Sequence, residues 1–285
     1  MTSLSALKTG GELFVELTML RQAFPGSLLV LEGEDDVRFW RRHIVAADCE
    51  PVLAGGRRNV EDCVRRVDAA ALRGALGVVD ADFGPPPAAS PNLLCTEHHD
   101  LEALLLQSSA LDAVLIEYGD RDLIQRFEAR HGRVREALVA RGAPFGRLRW
   151  LSERHALGIN FHRLGRSPYF DTNSWTLDVE RLTAAAATLC ARDATELREL
   201  LAALPHAPAW SLCQGHDMLH ILNLGLTRAL GTSTPGAQLL GRSLRLAFQA
   251  HEFSASSLYS QVRAWEARNS PYRVLPAHIP PTSPS

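Results

Sequence analysis

Lysine is almost missing from this chain of 285 residues: Lys8 is the only one, and arginine carries the rest of the positive charge. Arginine is the better bidentate partner for phosphate, yet 30 basic residues against 32 acidic ones leave a formal net charge of −2. That balance excludes a chain-wide polyanion-binding surface, so any nucleic-acid contact has to come from a local basic patch. Cysteine is scarce too. Cys49, Cys63, Cys95, Cys190 and Cys213 are scattered, odd in number and never spaced as CxxC. This excludes a disulfide framework and a zinc ribbon and marks them as small buried residues in a reducing compartment. No apolar run approaches the roughly 18 residues of a membrane helix, and no charged n-region with an apolar stretch opens the chain. A cytoplasmic protein with no membrane segment and no signal peptide is expected. Walker A, GxGxxG and GxSxG sequences are missing as well, so the chain is expected to carry no ATP site of its own.

What is present begins with apolar positions at helical spacing over residues 10–24, ended by Pro25-Gly26. Ser27 to Leu31 is a continuous apolar run cut off at Glu32-Gly33, the mark of a buried parallel strand. Residues 35–46 read as a helix with two acids in its first turn, where the helix dipole favours them. A weaker strand over Glu50 to Ala54 meets Gly55-Gly56, and a helix over Val60 to Leu72 follows. Ala75 to Val79 is the next apolar run, stopped by Asp80 and Asp82. Beyond the Pro85-Pro86-Pro87 loop, Asn92 to Cys95 reads as a fourth strand and Asp100 to Leu106 as a helix. Strands alternating with helices predict an α/β domain, Rossmann-like, with a mainly parallel sheet flanked by helices. From about residue 107 the pattern is helix after helix, over 119–141, 177–189, 194–203, 216–230, 236–250 and 254–268. The expected organisation is therefore an α/β domain over 1–110, an all-helical subdomain over 111–275 and a disordered Pro- and Ser-rich tail over 276–285. No internal repeat is evident.

In parallel sheets ligands sit beyond the carboxyl ends of the strands. Glu32 and the Asp80–Asp82 pair both fall at that edge, the strand of Glu32 being expected to neighbour the strand of Asp80. Residues two apart on a strand share a face, so Asp80 and Asp82 aim together if the strand geometry continues. Converging carboxylates repel one another unless a hard cation neutralises them. Mg²⁺ suits such a set, taking oxygen ligands and keeping several waters. The plain alternative is a solvated turn at Asp80 and Asp82 and a capping acid at Glu32.

Residues 28–40 (LLVLEGEDDVRFW) and 76–84 (LGVVDADFG) resemble the two signature motifs of the Toprim domain of primases, type IA topoisomerases and OLD-family nucleases. More narrowly, EGEDDVRFW, the GGRRNV turn at 55–60, TEHHDLEALL at 96–105 and GHD at 215–217 resemble a Toprim-like family of formerly unknown function. That family includes effector nucleases of PARIS-type anti-phage systems. The resemblance implies a Toprim-like fold and a metal-dependent nuclease. Its ligands would be Glu32, Asp80 and Asp82 around Mg²⁺ (or Mn²⁺), and its substrate DNA or structured RNA such as tRNA. It also implies a separate ABC/OLD-type ATPase as partner, and leaves a homodimer open. OLD-type nucleases use an active-site lysine, which this chain lacks unless Lys8 serves; His216 or an arginine would stand in.

Other residues join as candidates. Asp100, at the end of the fourth strand, is a further metal ligand or a helix cap, and Glu102 a supporting acid. Glu34 is nearer the sheet edge than Asp35 and Asp36 and supports the ligands, whereas those two read as helix-opening charge. Adjacent side chains point different ways, so His98 and His99 do not make a joint zinc site. His216 opens a helical run and reads as a general base or as a structural histidine. His220 shares its face at i+4, but no acid at HExxH spacing accompanies them, which excludes a zincin. Arg57 and Arg58, in the loop after Gly55-Gly56, are candidate phosphate contacts. A haloacid-dehalogenase phosphatase also uses DxD, but here Phe83-Gly84 follows Asp82. The alternative to a nuclease is a Toprim-fold binding module that docks on a partner through its helical half.

Overall fold

The structure, a computed structural model, describes residues 8–83 and 90–277. The Pro85-Pro86-Pro87 loop and most of the Pro- and Ser-rich tail lie outside the described residues. The chain divides into two compact units. One comprises the described residues up to Asp80, those from Ser90 to Glu97 and those from Ala250 onward; the other comprises Ala81–Phe83 and His98–Gln249.

The first unit runs α1 (Gly10–Ala23), β1 (Ser27–Leu31), α2 (Glu34–Trp40), β2 (Cys49–Leu53), α3 (Arg57–Ala69), β3 (Ala75–Val79) and β4 (Leu93–Cys95). Thr9 and Glu12 cap α1 reciprocally, the hydroxyl accepting from Glu12 N and the carboxylate from Thr9 N. All strand pairs are parallel, in the order β2-β1-β3-β4. The two strands buried along their whole length, β1 and β3, are the central ones, as apolar runs covered on both faces must be. Pro51 is tolerated in β2 because that strand is an edge. Leu28, Val30, Ala75 and Val79 join Leu13 and Leu17 of α1 and Val60, Val64 and Val67 of α3 in one apolar core. Gly77 lets α3 come this close, since a Cβ there would stand 2.6 Å from Val64.

Helix α2 stops at Trp40, six residues before the expected end. Beyond it the amides turn to partners three residues back, Arg42 N to Phe39 O at 3.1 Å and His43 N to Trp40 O at 2.8 Å, and the tightened chain buries His43 beside Phe39. Helix α3 starts three residues earlier than expected, so Arg57 and Arg58 form its first turn rather than a loop.

In the second unit the helices are α4 (Leu101–Gln107), α5 (Ser109–Tyr118), α6 (Arg121–His131), α7 (Val134–Arg154) and α8 (Phe161–Leu164). A ribbon of two antiparallel strands follows, β5 (Phe170–Asp171) and β6 (Thr176–Leu177). Then come α9 (Val179–Leu189), α10 (Ala194–Ala202), α11 (Ala209–Leu212), α12 (Gly215–Arg228) and α13 (Ala237–Ala247). The ribbon corrects the all-helical expectation: strands of two residues are too short to show a period. The single helix expected over 119–141 is two, parted at Gly132, whose φ is 79°.

The helices α14 (Ala250–Ser254) and α15 (Ser257–Arg268) belong to the α/β unit, not to the helical one, which corrects the 111–275 boundary. Phe253 meets Phe39 and Trp40 edge-on at 5.3 and 5.5 Å, and Trp265 Nε1 donates to Asn92 Oδ1 at 2.9 Å. Among the described residues no helix is long and apolar enough to cross a membrane.

Candidate active site

Parallel pairing sets Leu31 of β1 beside Val78 of β3, and each strand runs on into an acid, Glu32 after Leu31 and Asp80 after Val79. Glu32 Oε1 accepts from the Asp80 backbone amide at 2.7 Å. The Glu32 carbonyl in turn accepts from Gly55 N and Gly56 N, both at 3.0 Å. Gly55 and Gly56 hold φ of 76° and 127°, values that favour glycine. Arg57 follows directly. Its Nη1 donates to Asp80 O at 3.1 Å and its Nε to Glu61 Oε1 at 2.8 Å, leaving its side chain 17% exposed. A guanidinium held at this edge offsets the cost of gathering carboxylates there. Arg57 is thus a brace for the β3 end, while Arg58 is exposed.

The strand alternation that would aim Asp80 and Asp82 together stops at Val79. Asp82 takes a left-handed φ of 47°, and its amide donates to His99 O at 3.0 Å within the second unit. His99 is buried, with Nδ1 3.4 Å from Asp100 Oδ2 and 4.0 Å from Asp82 Oδ1. Its ring stands edge-on to Phe83 at 4.5 Å, and among the described residues neither ring nitrogen has a hydrogen-bond partner. Asp100 caps α4: Oδ1 accepts from Ala103 N at 2.9 Å, and Oδ2 accepts from Gly215 N at 2.6 Å. The segments TEHHD and GHD therefore interlock, and Gly215 is needed because a Cβ would stand 2.6 Å from Asp100 Oδ1. Glu102 lies 3.7 Å from Arg245.

Asp217 is buried between two arginines. Arg149 grips it through Nε at 2.7 Å and Nη2 at 3.0 Å, and Arg166 through Nε at 2.8 Å. Burial pushes the Asp217 carboxyl up, but the two guanidiniums outweigh it and hold the pKa below the usual range. His216 is exposed, its Nε2 3.3 Å from His220 Nε2. Burial, then the neighbouring His216 and Arg166, depress the His220 pKa. Burial also pushes the Cys49, Cys63 and Cys213 thiols up to about 12, so they are inert apolar residues.

Glu34 pairs with Arg38 at 2.7 Å and Asp35 with the same arginine at 2.6 Å, while Asp36 accepts from Gly33 N at 2.8 Å. All three serve the opening of α2. The structure thus joins Glu32 with Asp80, and Asp100 and Glu102 with the GHD segment. Among the described residues no three His, Cys, Asp or Glu side chains are grouped to hold a metal ion. The sequence placed Arg57 at this edge as a phosphate contact but not as a brace on Asp80 O, and it did not mark the burial of His99. A doubled histidine beside an acid was the trace of His99, and the Gly55-Gly56 turn that of Arg57. No protein-family model matches the chain, and neither does any curated protein or solved structure.

Proposed function

We propose that the protein is a metal-dependent nuclease, hydrolysing phosphodiester bonds in DNA or structured RNA such as tRNA, with Glu32, Asp80 and Asp82 as ligands of Mg²⁺ (or Mn²⁺). The observation that carries this reading is the Glu32 carboxylate at the Asp80 amide, 2.7 Å away, beyond the carboxyl ends of two adjacent parallel strands. β1 and β3 flank the point where the strand order reverses, the place where ligands gather in such sheets. Mg²⁺ uses one or two carboxylates, several waters and the substrate's phosphates rather than a closed protein cage. Two acids at one sheet edge suit that habit. When bound, the metal polarises a phosphoryl oxygen and activates water.

Asp82 enters as third ligand through its place in the DxD motif. Asp100 does not, because backbone amides engage both its oxygens. His216, exposed on the first turn of α12, takes the part of a general base. The resemblance to anti-phage effectors adds a separate ABC/OLD-type ATPase that restrains or triggers cleavage. One observation favours a second reading, a binding module without turnover: Lys8, the only lysine, pairs with Glu16 at 2.8 Å on α1.

Purified protein offered supercoiled DNA, single-stranded DNA and total tRNA with Mg²⁺ or Mn²⁺ tests the proposal. Cleavage of one substrate, abolished in Asp80→Ala, is the expected outcome. Equal cleavage by Asp80→Ala would remove the acids from the reaction. No cleavage even with a co-expressed ATPase would favour the binding module.

A further inference from the structure

Within the helical unit, α6, the end of α12 and the turn between the two ribbon strands border a cavity of about 420 Å³. Three guanidiniums line it: Arg126 and Arg130, one helical turn apart on α6, and Arg228 at the end of α12. His131, Asn173 and Ser174 add polar groups to its wall, and among the described residues no acidic side chain lines it. Arg126 Nε donates to the Asp122 backbone carbonyl at 3.2 Å and Arg228 Nη1 to the Asn173 amide oxygen at 3.1 Å. Among the described residues none of the three arginines has a carboxylate partner. At Asp217, by contrast, two arginines of the same unit share one carboxylate.

Helix ends explain part of this charge. Arg130 and His131 lie in the last turn of α6 and Arg228 in that of α12, where a cation offsets the helix dipole. Arg126 lies a turn too early for that role, and all three arginines are exposed. Asp171, beside the turn, does not line the cavity; it accepts from Asn173 N at 2.9 Å and Ser174 Oγ at 2.9 Å, which hold its carboxyl below the usual range. The floor is aromatic, formed by Phe127. Phe127 is buried at 5.5 Å from the Trp175 ring, and Arg141 lies over both.

We infer that this cavity binds the phosphate groups of a nucleotide or nucleic acid. Planar guanidiniums match phosphate oxygens bidentately, and a cluster without counter-carboxylates has its charge to spare for an anion. The volume falls in the range of small-ligand sites and suits one or two nucleotide units. The inference needs neither a metal nor the acids at the sheet edge, so it stands apart from the cleavage reading.

The test uses the full chain in EDTA, with ATP followed by calorimetry and a short fluorescent single-stranded oligonucleotide followed by anisotropy. The variant is Arg126→Gln, Arg130→Gln, Arg228→Gln. Its control, Arg154→Gln, Arg242→Gln, Arg268→Gln, removes equal charge from exposed positions outside the cavity. The cavity variant is expected to lose at least tenfold in affinity. Its salt dependence should flatten by about 2 in log–log slope, at ~0.7 for each lost single-strand contact. The control should match the unmodified protein. Loss with ATP alone identifies a free nucleotide as the source of the phosphate, and loss with the oligonucleotide identifies nucleic acid. Equal losses in both variants, or no binding of either probe by the unmodified protein, would overturn the inference.

Discussion

At Asp217 the arithmetic of charge is concentrated in one side chain. Arg149 and Arg166 are only 18% and 15% exposed, so an amide in place of the carboxylate leaves two poorly hydrated cations with nothing to neutralise them. Asp217→Asn should therefore cost about 3 kcal/mol of stability, the low end for breaking a buried pair. The pH dependence has a definite sign. A carboxyl whose folded pKa lies below its unfolded value of about 3.9 stabilises the fold above that pH and loses the contribution as acid drives it through the folded pKa. Urea unfolding of Asp217→Asn should show a shallower loss below about pH 4; a variant as stable as the parent would show that the triad carries no net weight. Glu32 and Asp80 were readable from sequence because each breaks a fully buried apolar run. Asp217 was not: a lone acid after a histidine looks like any helix-opening charge until Arg149 and Arg166 arrive from 68 and 51 residues away.

Elements show the same division between local pattern and tertiary context. The end of α2 is held by an aromatic cluster in which the His43 ring lies 4.5 Å from both Phe39 and Phe253. Burial, with a smaller push from Arg42, lowers the His43 pKa to about 4. An imidazole buried neutral contributes fully above its unfolded pKa of about 6.5, and that contribution falls as the pH drops toward 4, because the unfolded chain binds the proton first. The shift corresponds to about 3 kcal/mol. His43→Phe keeps a ring in the cluster and should remove the slope of stability between pH 6.5 and 4, measured by urea midpoints. An unchanged slope would assign the acid sensitivity to another group. Helix α7 shows where local pattern misleads. Gly142 and Pro144 read as a break, yet the helix runs through to Arg154. Gly142 and Gly146 are contact surfaces, since a Cβ at the first would run into Met218 and at the second into the Leu212 carbonyl. Spacing cannot tell a glycine that ends a helix from one that lets another chain segment press against it.

At the scale of the whole molecule, the α/β unit was legible because strands and helices alternate and each strand stops abruptly. Its closing helices were not. Leu258, Val262 and Trp265 show the period of α15 but not the core they join. The boundary between the units falls inside the DxD motif, with Asp80 in one and Asp82 in the other. The central claim is that the acids at the end of β1 and β3 hold a divalent cation. Mn²⁺ binding, followed by electron paramagnetic resonance on the intact protein, on Glu32→Gln and on Asp80→Asn, tests it most directly. The side-chain amide introduced by Glu32→Gln keeps an oxygen for the Asp80 backbone N–H, so this variant removes the charge and spares the hydrogen bond. The expected result is Mn²⁺ uptake by the intact protein, weakened at least tenfold, or about 1.4 kcal/mol, in each variant with cooperative unfolding retained. Mn²⁺ bound equally by all three proteins, or by none, would contradict the metal site.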